Sequence, residues 1–277
     1  MTRIVKTTVF AALLVCALGW AALAQSESGI SGADLILADQ LSTTEGIAVC
    51  PDGSMFTAEN GSGKVFQVVD DETVKLYAEG LKRPAGLACG AGNVLYAAGY
   101  GEGAVLKIKP GAKEHTIVAS GFKNPNGIVV GPDGAVYMSD STSGIVYRIG
   151  VDGKQEKLLD GITFANGLYI DGGNLYIAQT TPNKITMTPL SGDNKGKKKT
   201  FAKNLTMVDG ITGDGAGNIY ACLYAKGEVA VVDKEGKATV IASGLGSPAT
   251  PAIKGGFLYV TTLNGKGLFR LKLAAAK

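Results

Sequence analysis

Five times in the chain a polar or small residue stands immediately before a glycine that opens an aliphatic run. These segments are Glu45-Gly-Ile-Ala, Ala85-Gly-Leu-Ala, Asn126-Gly-Ile-Val, Asn166-Gly-Leu-Tyr and Asp209-Gly-Ile-Thr, and Ala249-Thr-Pro-Ala continues the series. Their first residues lie 40, 41, 40, 43 and 40 positions apart. If equivalent positions of a repeat converge, Glu45, Asn126, Asn166 and Asp209 bring four oxygen-bearing side chains together, two of them anionic, while Ala85 and Ala249 leave space. That is a hard-cation donor set. Ca²⁺ accepts carboxylate and amide oxygens in a flexible shell completed by water, and Mg²⁺ or Mn²⁺ suits the same donors. Asn or Asp before Gly is also an ordinary turn preference. Four positions in register, one of them a Glu that turns do not favour, argue for more than turns.

The elements that must position this column are short strands. Ten or eleven residues after each mark stands the aromatic of an aliphatic-aromatic pair: Met55-Phe56, Leu95-Tyr96, Val136-Tyr137, Leu175-Tyr176, Ile219-Tyr220 and Leu258-Tyr259. A glycine turn such as Pro51-Asp52-Gly53 or Gly255-Gly256 lies between mark and pair and closes a hairpin. A third strand such as Gly144 to Ile149 follows, then a polar-edged fourth such as Lys237 to Ala242. Four antiparallel strands per repeat of about 40 residues describe a propeller blade. Six repeats predict an all-β, six-bladed β-propeller of four-stranded antiparallel blades. The aromatic of every repeat reads as blade-on-blade packing. The last repeat runs out after Gly267 to Leu273, and Ala33 to Asp39 has the pattern of its missing fourth strand. An N-terminal strand completing the last blade removes two open sheet edges.

First strands of a propeller line its axis, so the column sits at one mouth of the central channel. Second strands return to that face, and the turns after them carry Glu59, Tyr100, Asp140, Gln179, Tyr224 and Asn264, the candidate substrate contacts. His115, the single histidine, falls among polar fourth-strand residues and reads as a solvent-edge residue. Ser-His-Asp catalysis and a typical zinc site have no residues to use.

The totals fit this architecture. The 277 residues include 40 glycines without a three-residue period, 18% charged residues and a net charge of +3, which excludes collagen and disorder. The near-neutral balance gives no electrostatic case for nucleic acid; the run Lys195, Lys197, Lys198 and Lys199 reads as a solvated loop or outer strand. Residues 1–24 read as a signal peptide, with Arg3 and Lys6 before an uncharged stretch ending in Ala22-Leu23-Ala24. Residues 25–277 then form a single secreted or periplasmic domain, with no membrane attachment after cleavage. Cleavage takes the net charge to +1 and removes Trp20, the only Trp, so WD40 blades are excluded. Cys50, Cys89 and Cys222 remain; they read as small buried hydrophobes, with at least one thiol unpaired.

Asn166-Gly-Leu-Tyr-Ile-Asp-Gly-Gly-Asn-Leu-Tyr-Ile-Ala and Asp209-Gly-Ile-Thr-Gly-Asp-Gly-Ala-Gly-Asn-Ile-Tyr-Ala resemble the senescence marker protein/gluconolactonase/luciferin-regenerating-enzyme-like (regucalcin-like) family. Glu45-Gly-Ile-Ala is similar to its first-blade glutamate motif, and the resemblance runs over residues 33–273. It implies one divalent cation on the axis, held by Glu45, Asn166 and Asp209 with Asn126 near or on it, and hydrolysis of a lactone or related ester with Asp209 as general base. Ca²⁺ is the first choice, with Mg²⁺, Mn²⁺ or Zn²⁺ as alternatives. The chain has Asn126-Gly127 where the family often has Asn-Asp, no substrate-gripping arginine is evident nearby, and the histidines of the related paraoxonases are absent. A second reading is a non-catalytic propeller similar to NHL-repeat proteins, with the cation as an axial plug and the rim binding a ligand or protein partner. Blade three, Asn124-Pro-Asn-Gly-Ile-Val-Val-Gly-Pro-Asp-Gly, fits that description too.

Overall fold

The computed structural model describes residues 32–273, which form six four-stranded antiparallel sheets around a central axis. The proposed leader, including Trp20, lies outside the described residues. The innermost strands of the blades are Thr44–Val49, Pro84–Cys89, Pro125–Val130, Ala165–Asp171, Val208–Gly213 and Pro248–Lys254. The second strands, Met55–Glu59, Leu95–Gly99, Val136–Asp140, Asn174–Gln179, Ile219–Leu223 and Phe257–Thr262, pair with them as hairpins. The sixth blade is completed by Ala33–Ile36, which pairs with Leu268–Lys272 in the register Ala33↔Leu271 to Ile36↔Leu268. This closing strand is shorter than the expected segment, because Leu37 at φ +59° turns the chain out of the sheet.

The core is divided among the interfaces between blades. Each aromatic of the repeated pair sits in an apolar cluster with residues of the following blade. Phe56 packs with Leu87 and Leu95, Tyr96 with Ile128 and Val136, and Tyr137 with Leu168 and Leu175. Tyr176 packs with Ile211 and Ile219, Tyr220 with Leu258 and Ile253, and Tyr259 closes the ring against Ile47 and Met55. Phe56 and Tyr137 are buried and the other four rings half-buried, so one repeated residue contributes apolar contact at all six interfaces.

The cysteines depart from the sequence reading. Cys50 and Cys89 form a disulfide between neighbouring inner strands, their Cα atoms 5.0 Å apart. They lie 39 residues apart, close to the repeat length, so the repeat itself brings them side by side around the axis. Ring closure does not use this bridge. Cys222 is a free, fully buried thiol on the second strand of blade five, and burial pushes its pKa up.

Candidate functional site

The same irregularity recurs at the start of every inner strand. In blade one Thr44 opposes Glu59, but the next partners are Ile47 and Thr57, so the inner strand carries one extra residue across Glu45-Gly46. Blades two to six repeat the shift between Pro84/Leu87, Pro125/Ile128, Ala165/Leu168, Val208/Ile211 and Pro248/Pro251. A β-bulge re-aims the side chain at the extra residue. The glycine after each column residue is not there for a turn, since Gly46, Gly86, Gly127, Gly167 and Gly210 all lie outside the positive-φ set. It is there because the next blade leaves no room. A Cβ on Gly46 would fall 2.2 Å from the Ala85 carbonyl oxygen, one on Gly127 2.2 Å from that of Asn166, and one on Gly210 2.5 Å from that of Ala249.

Thirteen residues line a cavity of about 410 Å³ at the mouth of the channel, and each occupies one of three repeat positions. The floor is the bulge column: Glu45, Asn126, Asn166 and Asp209. All four expected ligands therefore converge. The walls are the residues four after the repeated aromatics, Asn60, Tyr100, Ser141, Thr180, Tyr224 and Leu263. The rim is Arg83, Phe164 and Met207, each two positions before the column. These three and Thr43 have φ between +45° and +49°, a left-handed conformation that costs a non-glycine residue roughly 1–3 kcal/mol.

The wall positions differ from those expected at the sequence level. Tyr100 and Tyr224 line the cavity, whereas Glu59, Asp140 and Gln179 are one residue earlier and turn away into the blades, which a shift of one residue along a strand requires. They hold the loops that lead into the inner strands. Glu59 accepts from the Ser42 amide at 2.7 Å and from the Ser62 hydroxyl at 2.6 Å. Asp140 accepts from the amides of Lys123, Asn124 and Ser143. Gln179 donates to the Thr163 carbonyl and accepts from the Thr186 hydroxyl. Asn264, one residue too late, is exposed and donates to the Tyr224 hydroxyl and to Ser247. A constant offset of four from the aromatic finds all six wall residues; the sequence reading followed chemistry rather than offset and missed Asn60, Ser141, Thr180 and Leu263.

Glu45 and Asp209 are each only 9% exposed. Burial raises Glu45 from 4.5 to about 7, opposed by a hydrogen bond from Asn60 and by the Arg83 charge. Burial also raises Asp209 well above its ordinary value; the Glu45 charge adds to this, and a hydrogen bond from Asn166 opposes it. The Asn60 amide donates to Glu45 at 2.5 Å, and the Asn166 amide donates to the Thr180 hydroxyl at 3.1 Å. The bond to Thr180 uses an amide hydrogen of Asn166 and leaves its amide oxygen for another partner. Among the described residues no three His, Cys, Asp or Glu cluster; the donor set is two carboxylates and two amides. Two buried carboxylates, both with raised proton affinity, beside amide oxygens fit a hard divalent cation. Arg83 is the cavity's one cationic side chain, 4.8 Å above the Tyr100 ring. It supplies an arginine at the site that the sequence did not make evident. His115 lies just before an outer strand, 3.7 Å from Glu102.

The family model for the SMP-30/gluconolactonase/LRE-like region matches residues 125–264, which carry Asn126, Asn166 and Asp209. The chain belongs to that family. Among solved structures, a gluconolactonase from Xanthomonas campestris superposes with a TM-score of 0.78 at 21% identity, covering 91% of this chain and 93% of its own. The calcium-binding protein regucalcin from Agrobacterium tumefaciens gives 0.74 at 18% identity, with 88% and 94% covered. A virginiamycin B lyase from Staphylococcus aureus gives 0.66 at 14% identity, with 87% and 99% covered. At these identities the likeness is one of fold. No curated protein matches the chain. Within the SMP-30/gluconolactonase/LRE-like family, then, this member places two carboxylates, three asparagines and one arginine in a single axial cavity.

Proposed function

We propose that the protein is an exported, divalent-metal-dependent hydrolase of a lactone or related ester. The observation that carries this reading is the convergence of Glu45, Asn126, Asn166 and Asp209 on one cavity floor, two of them carboxylates with raised proton affinity. These four would hold the cation, Ca²⁺ first among the candidates. When bound, it supplies Lewis-acid polarisation of the carbonyl. Asp209 takes a proton from the attacking water. The water oxygen bonds to the carbonyl carbon, the ring or ester C–O bond breaks, and the proton returns to the departing oxygen. Burial keeps Asp209 basic, although a neighbouring cation pulls its affinity down again.

One neighbour is described as a gluconolactonase and another as a calcium-binding protein, which supports both the reaction class and the ion. A virginiamycin B lyase among the neighbours is described as catalytically inactive once a histidine is replaced by alanine; the single histidine here, His115, is not among the cavity residues. Export is supported by the leader-like residues 1–24 and by the Cys50–Cys89 bridge, since disulfides persist in oxidising compartments.

The test is a lactonase and arylesterase panel on the chelated protein with Ca²⁺, Mg²⁺, Mn²⁺ or Zn²⁺ restored singly, beside Asp209→Ala. Turnover that needs both metal and Asp209 supports the reading. Turnover indifferent to both removes it. The second reading, a non-catalytic propeller with an axial cation that binds a ligand or protein partner, draws on the buried carboxylate pair, which calls for a cation whether or not chemistry follows. Metal-dependent thermal stabilisation without turnover favours it.

A further inference from the structure

Three of the six wall residues spend polar groups on the protein itself. Asn60 donates to Glu45 and to the Pro84 carbonyl. Ser141 donates to the Asn124 carbonyl. Thr180 donates to the Val208 carbonyl while accepting from Asn166. What remains is largely apolar or aromatic: Leu263 and the rings of Tyr100 and Tyr224 on the walls, with the two tyrosine hydroxyls as their polar tips, and Phe164 and Met207 on the rim. Phe164 is 56% exposed and Met207 39%. The structure holds both in left-handed backbone, φ +45° and +47°, which glycine would adopt freely. Large apolar side chains kept exposed at strained positions beside a cavity gain their return from what enters it. Arg83, stacked over the Tyr100 ring, forms no ion pair among the described residues.

We propose that the cavity takes an ester or lactone with an apolar body, an aryl ring or acyl chain, and one anionic substituent directed to Arg83, rather than a polyhydroxylated sugar lactone. A sugar brings several hydroxyls that each need a partner once desolvated, and these walls have few to give. An aryl or acyl body is served by Phe164, Met207 and Leu263 at about 25 cal/mol per Å² of apolar surface buried. This deepens the hydrolase reading and rests on it for the reaction.

The experiment separates ligand preference from turnover. Calorimetric titration of the calcium-loaded protein compares phenylsuccinate with glucarate, both dicarboxylates, one apolar and one hydroxylated. Phenylsuccinate is expected to bind about tenfold tighter or more. Phe164→Gly and Met207→Gly should each weaken it roughly three- to tenfold while leaving Tm unchanged or raised, an outcome a merely structural role would not give. Arg83→Gln should weaken phenylsuccinate but not 4-phenylbutyrate, which lacks the second carboxylate. Glucarate binding as tightly, neither dicarboxylate binding, or the glycine variants binding like the parent would each overturn the proposal. In parallel, calcium-dependent hydrolysis of a phenyl-substituted γ-lactone is compared with that of glucono-δ-lactone. Faster turnover of the sugar lactone overturns the apolar-substrate proposal and leaves the hydrolase reading standing. No turnover of any lactone or ester overturns the hydrolase reading, while the titrations still decide what the cavity binds.

Discussion

The carbonyl oxygen of Asn166 occupies the place where a side chain on Gly127 would begin, 2.2 Å from an ideal Cβ. Neighbouring inner strands therefore touch backbone to backbone at the level of the candidate cation site, and the spacing of the donors depends on residues that have no side chain.

Gly127→Ala forces blades three and four apart at that point. Overpacking against backbone is expected to cost about 3 kcal/mol, seen as a lowered urea midpoint with an unchanged m-value. Calcium affinity should fall as well, because Asn126 and Asn166 flank the contact. An alanine at Gly172, whose Cβ meets nothing within 4 Å but whose φ is +52°, is the contrast: a backbone penalty without loss of calcium affinity.

Metal-free protein should lose stability as pH rises from about 4.5 to about 7. Glu45 has a folded pKa of about 7 against 4.5, so the folded state binds more protons across that window. Its contribution is fully present below the lower value and is lost as pH passes the upper one. The size is on the order of 3 kcal/mol, and Asp209 acts in the same direction. Saturating Ca²⁺ should flatten the profile, because a bound cation favours both ionised forms. Thermal melts across this range with and without chelator check the sign; a metal-free Tm that climbs towards neutrality contradicts it.

Asp209→Asn keeps the shape of the cavity floor and removes one of two buried like charges. Hydrolysis should drop by about 10²-fold or more and calcium should bind more weakly. The chelated variant, in contrast, should melt above chelated parent at pH 8, because the repulsion with Glu45 is gone. A variant that loses stability and activity together at that pH would assign Asp209 a structural role instead.

Removing the Cys50–Cys89 bridge by paired serine substitution should destabilise the protein by about 4 kcal/mol in the chain-entropy model for a loop of 39 residues. The six-sheet fold should survive, since an antiparallel strand pair closes the ring elsewhere. In the protein lacking residues 1–24, a thiol reagent should find no reactive cysteine until denaturation and then only Cys222, which is buried. Mass spectrometry of the alkylated chain distinguishes these states.

Much of the candidate site was legible before any coordinates, because a repeat converts sequence spacing into spatial equivalence. Positions about 40 residues apart must meet around an axis, so the column holding Glu45, Asn126, Asn166 and Asp209 announced itself by chemistry and register together. The walls were harder. Strand side chains alternate between faces, so an error of one residue between Glu59 and Asn60, or Asp140 and Ser141, exchanges a loop anchor for a cavity residue.

By itself the sequence determined the number of blades, the strand that closes the ring, and the column of residues at the channel mouth, since all three follow from period and residue type. Only the tertiary structure decided the rest. The bulge that turns each column side chain, the left-handed backbone at Arg83, Phe164 and Met207, and the closing of the bond between Cys50 and Cys89 belong to the assembled ring. No local pattern encodes them, because they depend on how closely six similar strands crowd one axis.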